Sequence, residues 1–144
     1  MSNQDYQFGG TLTSDGAHLF PVRVYYEDTD FSGNVYHAAY LKFFERARTE
    51  LLRAHDVHHE RLLAEDGVAF AVRSLNIEYL QAAHIDDLLE VTSEVVEMKG
   101  GRLTIAQVIR CGGKIITRAK VVAVSIKSDG KPTRLPQLIR NALE

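Results

Sequence analysis

The stretch His37-Ala38-Ala39-Tyr40-Leu41-Lys42-Phe43-Phe44-Glu45-Arg46-Ala47-Arg48-Thr49-Glu50-Leu51-Leu52-Arg53-Ala54-His55 decides the fold. Tyr40, Phe44, Ala47 and Leu51 recur at the spacing of one helix face, and Glu45, Arg46, Glu50 and Arg53 fall largely off that stripe. A long amphipathic helix is therefore expected from about His37 to His55. Before it, Phe20-Pro21-Val22-Arg23-Val24-Tyr25-Tyr26 alternates and reads as a first strand. A short second helix is expected at His59–Ala64, ending near Asp66-Gly67.

The remainder reads as β almost to the end. Val68, Phe70 and Val72 alternate, then Leu75, Ile77 and Tyr79 alternate out of phase, which predicts a bulge near Arg73-Ser74. A strand from Asp87 to Met98 turns at Lys99-Gly100-Gly101 into Leu103–Cys111, and Gly112-Gly113 makes a hairpin into Lys114–Lys127. Ser128–Lys131 is another turn, and Pro136–Leu143 reads as a terminal helix. One long helix with about four antiparallel strands after it is α+β, the helix packed on one face of the sheet. Residues 1–19, polar with Gly9-Gly10 and Asp15-Gly16, read as a flexible extension with little structure of their own, leaving 20–144 as the folded domain.

Composition bounds the function. A chain of 144 residues with 45% hydrophobic and 25% charged residues is globular and long enough for one core. No apolar run approaches the roughly 18 residues of a membrane helix. Met1-Ser2-Asn3-Gln4-Asp5 lacks a basic, then apolar, leader, and the lone Cys111 suits a reducing compartment, so a cytoplasmic protein is expected. Charge is unevenly spread. Residues 1–98 carry 7 Lys/Arg against 17 Asp/Glu, while 99–134 carry 9 Lys/Arg against Asp129 alone. Either the two parts neutralise one another across a sheet or an oligomer, or the second part meets an anionic partner. Nucleic acid is disfavoured, because residues 99–134 hold no Phe, Tyr or Trp on which bases can stack.

Tyr26-Glu27-Asp28-Thr29-Asp30-Phe31-Ser32-Gly33-Asn34-Val35-Tyr36-His37 is the segment least explicable as structure. It places three carboxylates within four positions and runs straight into a helix start. Unpaired N–H groups there can hold an oxyanion, and a carboxylate across a glycine turn can face the same point as nucleophile or base. Acids near a helix start are also at home as solvated turn residues or caps.

These residues carry a resemblance. Val22–Asp30, Gly33, Val35-Tyr36-His37-Ala38, Tyr40-Leu41 and Glu45–Glu50 resemble the hotdog-fold acyl-CoA thioesterases of the 4-hydroxybenzoyl-CoA thioesterase type, nearest the branch associated with the Tol-Pal system. The likeness runs from about Phe20 to Leu138. It implies a hotdog fold, one long helix wrapped by an antiparallel sheet, in homodimers or homotetramers with active sites between subunits. It also implies hydrolysis of acyl-CoA, or of an acyl carrier protein thioester, without metal or other cofactor. The family's catalytic aspartate falls on Asp30, with Asp28 a structural or cap residue. Its oxyanion donor falls on the backbone N–H of His37, whose side chain matches the branch's histidine. Tyr26, Gly33, Val35 and Tyr36 are carried over as substrate-binding neighbours. Lys99, Arg102, Lys131 and Arg134 lie at strand ends and turns near where the family binds CoA phosphates. Phe31 and Ser32 stand where the family has small residues. The alternative within the same fold is a non-catalytic module that binds acyl-CoA or an acyl carrier protein.

Two other candidates are weaker. His55, His58 and His59 have helical metal spacing but no matching carboxylate or cysteine set. Cys111, alternating with Ile109, reads as a buried small hydrophobe rather than a nucleophile.

Overall fold

A computed structural model describes residues 8–144. The chain forms β1 (Thr11–Leu12), β2 (His18–Arg23), a 3-10 turn (Tyr26–Asp28), α1 (Ala39–Ala54), α2 (His59–Asp66) and β3 (Val68–Tyr79). β4 (Leu88–Lys99), β5 (Arg102–Cys111), β6 (Lys114–Lys127) and α3 (Gln137–Leu143) complete it. The strands make one six-stranded antiparallel sheet in the order β1-β2-β4-β5-β6-β3. The long helix lies across one face, as the stripe requires, and the four strands after the helices appear where alternation placed them.

The buried face of α1 is wider than the four-residue stripe: Ala39, Tyr40, Phe43, Phe44, Ala47, Leu51 and Leu52 are all buried. They feed two apolar clusters. One gathers Tyr40, Phe43, Phe44, Leu89, Val91, Ile109 and Ile116; the other gathers Leu51, Leu52, Leu62, Leu103, Ile105 and Ile139. The predicted bulge is present, as a register shift between Val72 and Ser74 that leaves Arg73 without a strand partner.

Three boundaries differ from expectation. The stretch read as unstructured pairs with the sheet from residue 11: Thr11 opposes Leu19, and β2 opens at His18. His18 is fully buried, with Nε2 3.0 Å from Gly9 O, and that anchorage holds the segment down; residues 1–7 lie outside the described residues. The first strand stops at Arg23 because Tyr26–Asp28 coils into the 3-10 turn. Cys111, at the end of β5, is half-buried rather than buried, and desolvation pushes its thiol up, away from a reactive thiolate.

A buried polar group fixes the helix on the sheet. Gln107 of β5 donates from Nε2 to Phe44 O of α1 at 3.0 Å and to Ser93 Oγ of β4 at 2.9 Å. Its Oε1 accepts from Arg48 at 3.1 Å. Gln107→Leu keeps the volume but strips the Ser93 hydroxyl and the Arg48 guanidinium of their amide partner and leaves the Phe44 carbonyl with its helical bond alone, so a loss of about 2–3 kcal/mol is expected. It should appear as a lower urea midpoint at unchanged m-value; an unchanged midpoint contradicts this role for the amide.

Candidate active site

Asp30 stands on a turn that the residues on either side of it hold shut. Asp28 Oδ2 accepts the Tyr25 N–H at 2.8 Å, and Asp28 O accepts the Tyr36 N–H at 2.9 Å. The first of these is the capping role expected of Asp28. Thr29 bridges Val35, and Asn34 bridges His84. Between them the Gly33 N–H donates to Asp30 O at 3.1 Å, with Gly33 at φ 83°, a left-handed geometry that favours glycine.

The turn is then tied to the helix. The Val35 N–H donates to Ala83 O at 2.8 Å, and the Ala83 N–H donates to the Tyr40 hydroxyl at 3.0 Å. Burial raises the pKa of that hydroxyl and keeps it neutral. Tyr79 of β3 donates its hydroxyl to His37 O at 3.0 Å, and its ring lies 6.3 Å edge-on from the His37 ring. The result is an open cleft of about 500 Å3 whose walls include Asp30, Asn34, His37, Tyr40, Tyr79 and Gln81.

Helix α1 begins at Ala39, two residues later than expected, with Ala38 as its N-cap. Ala38 has no side chain able to cap, and the entry is set instead by the Ala39 N–H donating to Tyr36 O at 2.8 Å. His37 therefore precedes the helix. Its N–H has no acceptor among the described residues, and His37 lines the cleft. Asp30 is ionised readily. Hydrogen bonds from the Ser32 side chain and then its backbone hold its carboxyl below the usual carboxylate range.

Asp30, Val35, Tyr36 and His37 thus meet at one cleft, with Gly33 in the turn beneath it. Tyr26 does not line it and projects into solvent at 84% exposure. Two lining residues, Tyr40 and Tyr79, were legible only as core and strand positions.

Of the four basic residues carried over, Arg102 and Arg134 meet elsewhere, and Lys99 and Lys131 do not line their cleft. Lys99 opposes Arg102 in the β4–β5 hairpin, and the chain from Lys131 to Leu135 crosses over that hairpin. The crossing is held by Thr133 N–H to Ser125 O at 2.9 Å, Leu135 N–H to Gly100 O at 3.0 Å and Ser125 Oγ to Thr133 O at 2.7 Å. A Cβ at Gly101 would lie 2.3 Å from Thr133 O, so that approach demands glycine. Arg102 and Arg134 line an open cleft of about 490 Å3 there, joined by Arg73, which the bulge supplies. Sequence reading found the bulge but not this arginine's place. The cleft is far from Asp30 in the same chain. From Thr117, opposite Tyr79, to Val124, opposite Arg102, is seven residues of β6, roughly 23 Å at about 3.3 Å per residue.

The histidine trio does not converge. His58 pairs with Asp56 at 3.0 Å and with Arg53, while His59 lies edge-on to Phe70. No group of metal-holding side chains occurs among the described residues.

One helix wrapped by an antiparallel sheet, with an acid-bearing glycine turn at the approach to that helix, is the hotdog architecture. The chain belongs to the thioesterase-like superfamily, whose family model matches residues 24–143. It is 46% identical over 129 residues to the acyl-CoA thioesterase YbgC of Haemophilus influenzae, covering 89% of this chain and 95% of that one. It is 44% identical over 122 residues to the acyl-CoA thioester hydrolase YbgC of Escherichia coli O6:H1, covering 83% and 90%. A probable thioesterase from Bartonella henselae superposes with a TM-score of 0.81 at 41% identity, covering 84% of this chain and all of that one. The resemblance read from the residues is borne out in family and in branch.

Proposed function

We propose that the protein hydrolyses acyl-CoA thioesters to the free acid and CoA, with Asp30 as nucleophile or general base and the His37 N–H as oxyanion donor. The observation that carries this reading is the sharing of one open cleft by the ionised Asp30 and the unpaired His37 N–H. The chemistry asks for little more. A thioester carbonyl is electrophilic and the CoA thiolate leaves readily, so a carboxylate and one aimed N–H suffice. A base contributes about 10²–10⁴-fold and one oxyanion donor about 2.7–4 kcal/mol. The relatives named as acyl-CoA hydrolases support the substrate class.

Asp30→Asn keeps the shape but can neither attack nor accept a proton. A fall of at least about 10²-fold in kcat is expected, with acyl-CoA binding retained and Asp28→Asn less damaging. Release of free thiol from acyl-CoA is the measurement. Retention of most of the rate in Asp30→Asn refutes the assignment, and no thiol release from the wild type would leave a binding module of the same fold.

The reading includes a homodimer or homotetramer. β3 is a twelve-residue edge strand with Val72, Leu75 and Tyr79 exposed, and such an edge invites pairing. Two-fold pairing of β3 edges is antiparallel, so the end of one strand near the arginine cleft meets the Tyr79 end of the other. That brings the basic residues of one copy towards the Asp30 of its neighbour. Light scattering at micromolar concentration should give at least twice the mass of one chain; a single-chain mass overturns the pairing.

Lys99, Arg102, Lys131 and Arg134 then hold the CoA phosphates. Such contacts are remote from the carbonyl and alike in ground and transition states, so neutralising all four should raise KM more than it lowers kcat. Wild type should prefer acyl-CoA over the same acyl group on pantetheine, most strongly at low salt, and the quadruple variant should lose that preference. An unchanged preference assigns the patch to subunit contacts or to a carrier protein.

A further inference from the structure

Asp30 is exposed, yet its carboxylate is not free to wander. Oδ1 accepts the Ser32 N–H at 2.8 Å and also the Ser32 hydroxyl. The same hydroxyl oxygen receives the Asn34 N–H at 3.4 Å. Beneath them the Asp30 N–H donates to Asn34 O at 2.9 Å and closes the turn. Both Ser32 donors fall on Oδ1, the Asn34 N–H adds a weaker pull on the same carboxyl, and no hydrogen bond ends on Oδ2 among the described residues. An unrestrained aspartate on an exposed turn samples several rotamers. Here Ser32 selects one.

We propose that Ser32 is the positioning residue of Asp30: it occupies Oδ1 and leaves Oδ2 as the oxygen that meets the thioester carbonyl or its attacking water. The inference rests on the hydrolase reading of Asp30. It concerns a residue outside the expected site set, noted only as standing where the family has a small residue.

Two consequences follow from a hydroxyl and an N–H on the same oxygen. The reacting oxygen is oriented before substrate arrives, which lowers the entropic part of the barrier. The ionised form is also favoured, because both donors serve the anion better than the acid. Other ionisable groups surround the turn. Glu27 and Asp28 precede it, Tyr36 and His37 follow it, Tyr40 faces it from α1, Tyr79 from β3, and His84 opposes Asn34 with Asp87 beside it. The Ser32 hydroxyl is the largest influence holding the Asp30 carboxyl low.

The sign of the effect follows. Turnover needs ionised Asp30, so the rate falls as pH drops through its pKa. Removing the hydroxyl moves that fall to higher pH, and restoring a hydroxyl moves it back. A residue that merely kept the turn folded would lower the rate by the same factor at every pH.

The test compares wild type, Ser32→Ala and Ser32→Thr by the pH profile of kcat/KM for one acyl-CoA. In parallel, a 13C NMR titration follows the Asp30 carboxyl, assigned with Asp30→Asn. In Ser32→Ala the acid limb and the NMR titration should both shift upward, with KM nearly unchanged and a several-fold rate loss at pH values below the limb. Ser32→Thr should restore both. An unmoved NMR titration in Ser32→Ala overturns the proposal, as does an equal loss at all pH values in both variants. If Asp30→Asn still turns over, the catalytic assignment of Asp30 fails on its own, while the NMR titration still decides whether Ser32 holds the carboxylate.

Discussion

The contact on which the rest depends is the amide of Gln107. Apolar burial drives α1 onto the sheet but has no direction, so packing by itself lets a helix slide. Gln107, 1% exposed on a central strand, binds the Phe44 carbonyl at mid-helix, the Ser93 hydroxyl on the next strand and the Arg48 guanidinium. Arg48 needs that partner, since desolvation disfavours its charged form. With the middle of α1 pinned, its first turn is placed as well. Tyr40 then reaches the Ala83 N–H, Ala83 O takes the Val35 N–H, and Val35 bridges Thr29, the neighbour of Asp30. The acid at the surface is positioned by a chain of directional bonds that starts in the core.

The two aspartates of Asp28-Thr29-Asp30 show how local bonding divides like residues into unlike roles. Asp28 spends its carboxylate on the Tyr25 N–H and its carbonyl on the Tyr36 N–H, so it closes the loop from within. Asp30, two residues on, lies beyond the 3-10 turn that holds Asp28, in the next turn, where Ser32 holds its carboxylate. Its carboxylate is held by the turn alone and faces the cleft. Asp28 does not line that cleft, so the two acids differ in what they face as well as in what they bind.

What could be read in advance follows the range of the interaction responsible. Helical spacing, strand alternation and glycine turns are local, and they placed α1, α2, α3, β3, β4, β5, β6 and the phase change at the bulge. The start of α1 slipped by two residues because Ala38 carries no capping group. β1 and the start of β2 were missed because their evidence is tertiary: His18 is polar in the sequence, yet it is buried against Gly9 O. At the site, the acid turn stands out through its density of carboxylates and its glycine. The double duty of Tyr40, the reach of Tyr79 to His37 O and the arrival of Arg73 beside Arg102 all depend on strand register, which no local pattern encodes.

Register also explains the uneven charge. Part of the basic segment does face acids across the sheet, Arg118 opposite Glu78 and Arg110 opposite Glu90, but seven positions of β6 separate the acidic turn's end of the sheet from the arginine cleft. Among the described residues none of Arg73, Lys99, Arg102, Lys131 and Arg134 forms an ion pair. Arg73, Arg102 and Arg134, the three that line one cleft, repel one another, and an open cleft focuses that potential outward. The proposed two-fold pairing through the exposed edge of β3 would bring the cleft of one copy towards the Asp30 end of another. Under the pairing proposed above, the apolar edge of β3 and the unbalanced cations would both find partners, the thioester and anionic ends of one substrate resting on different chains.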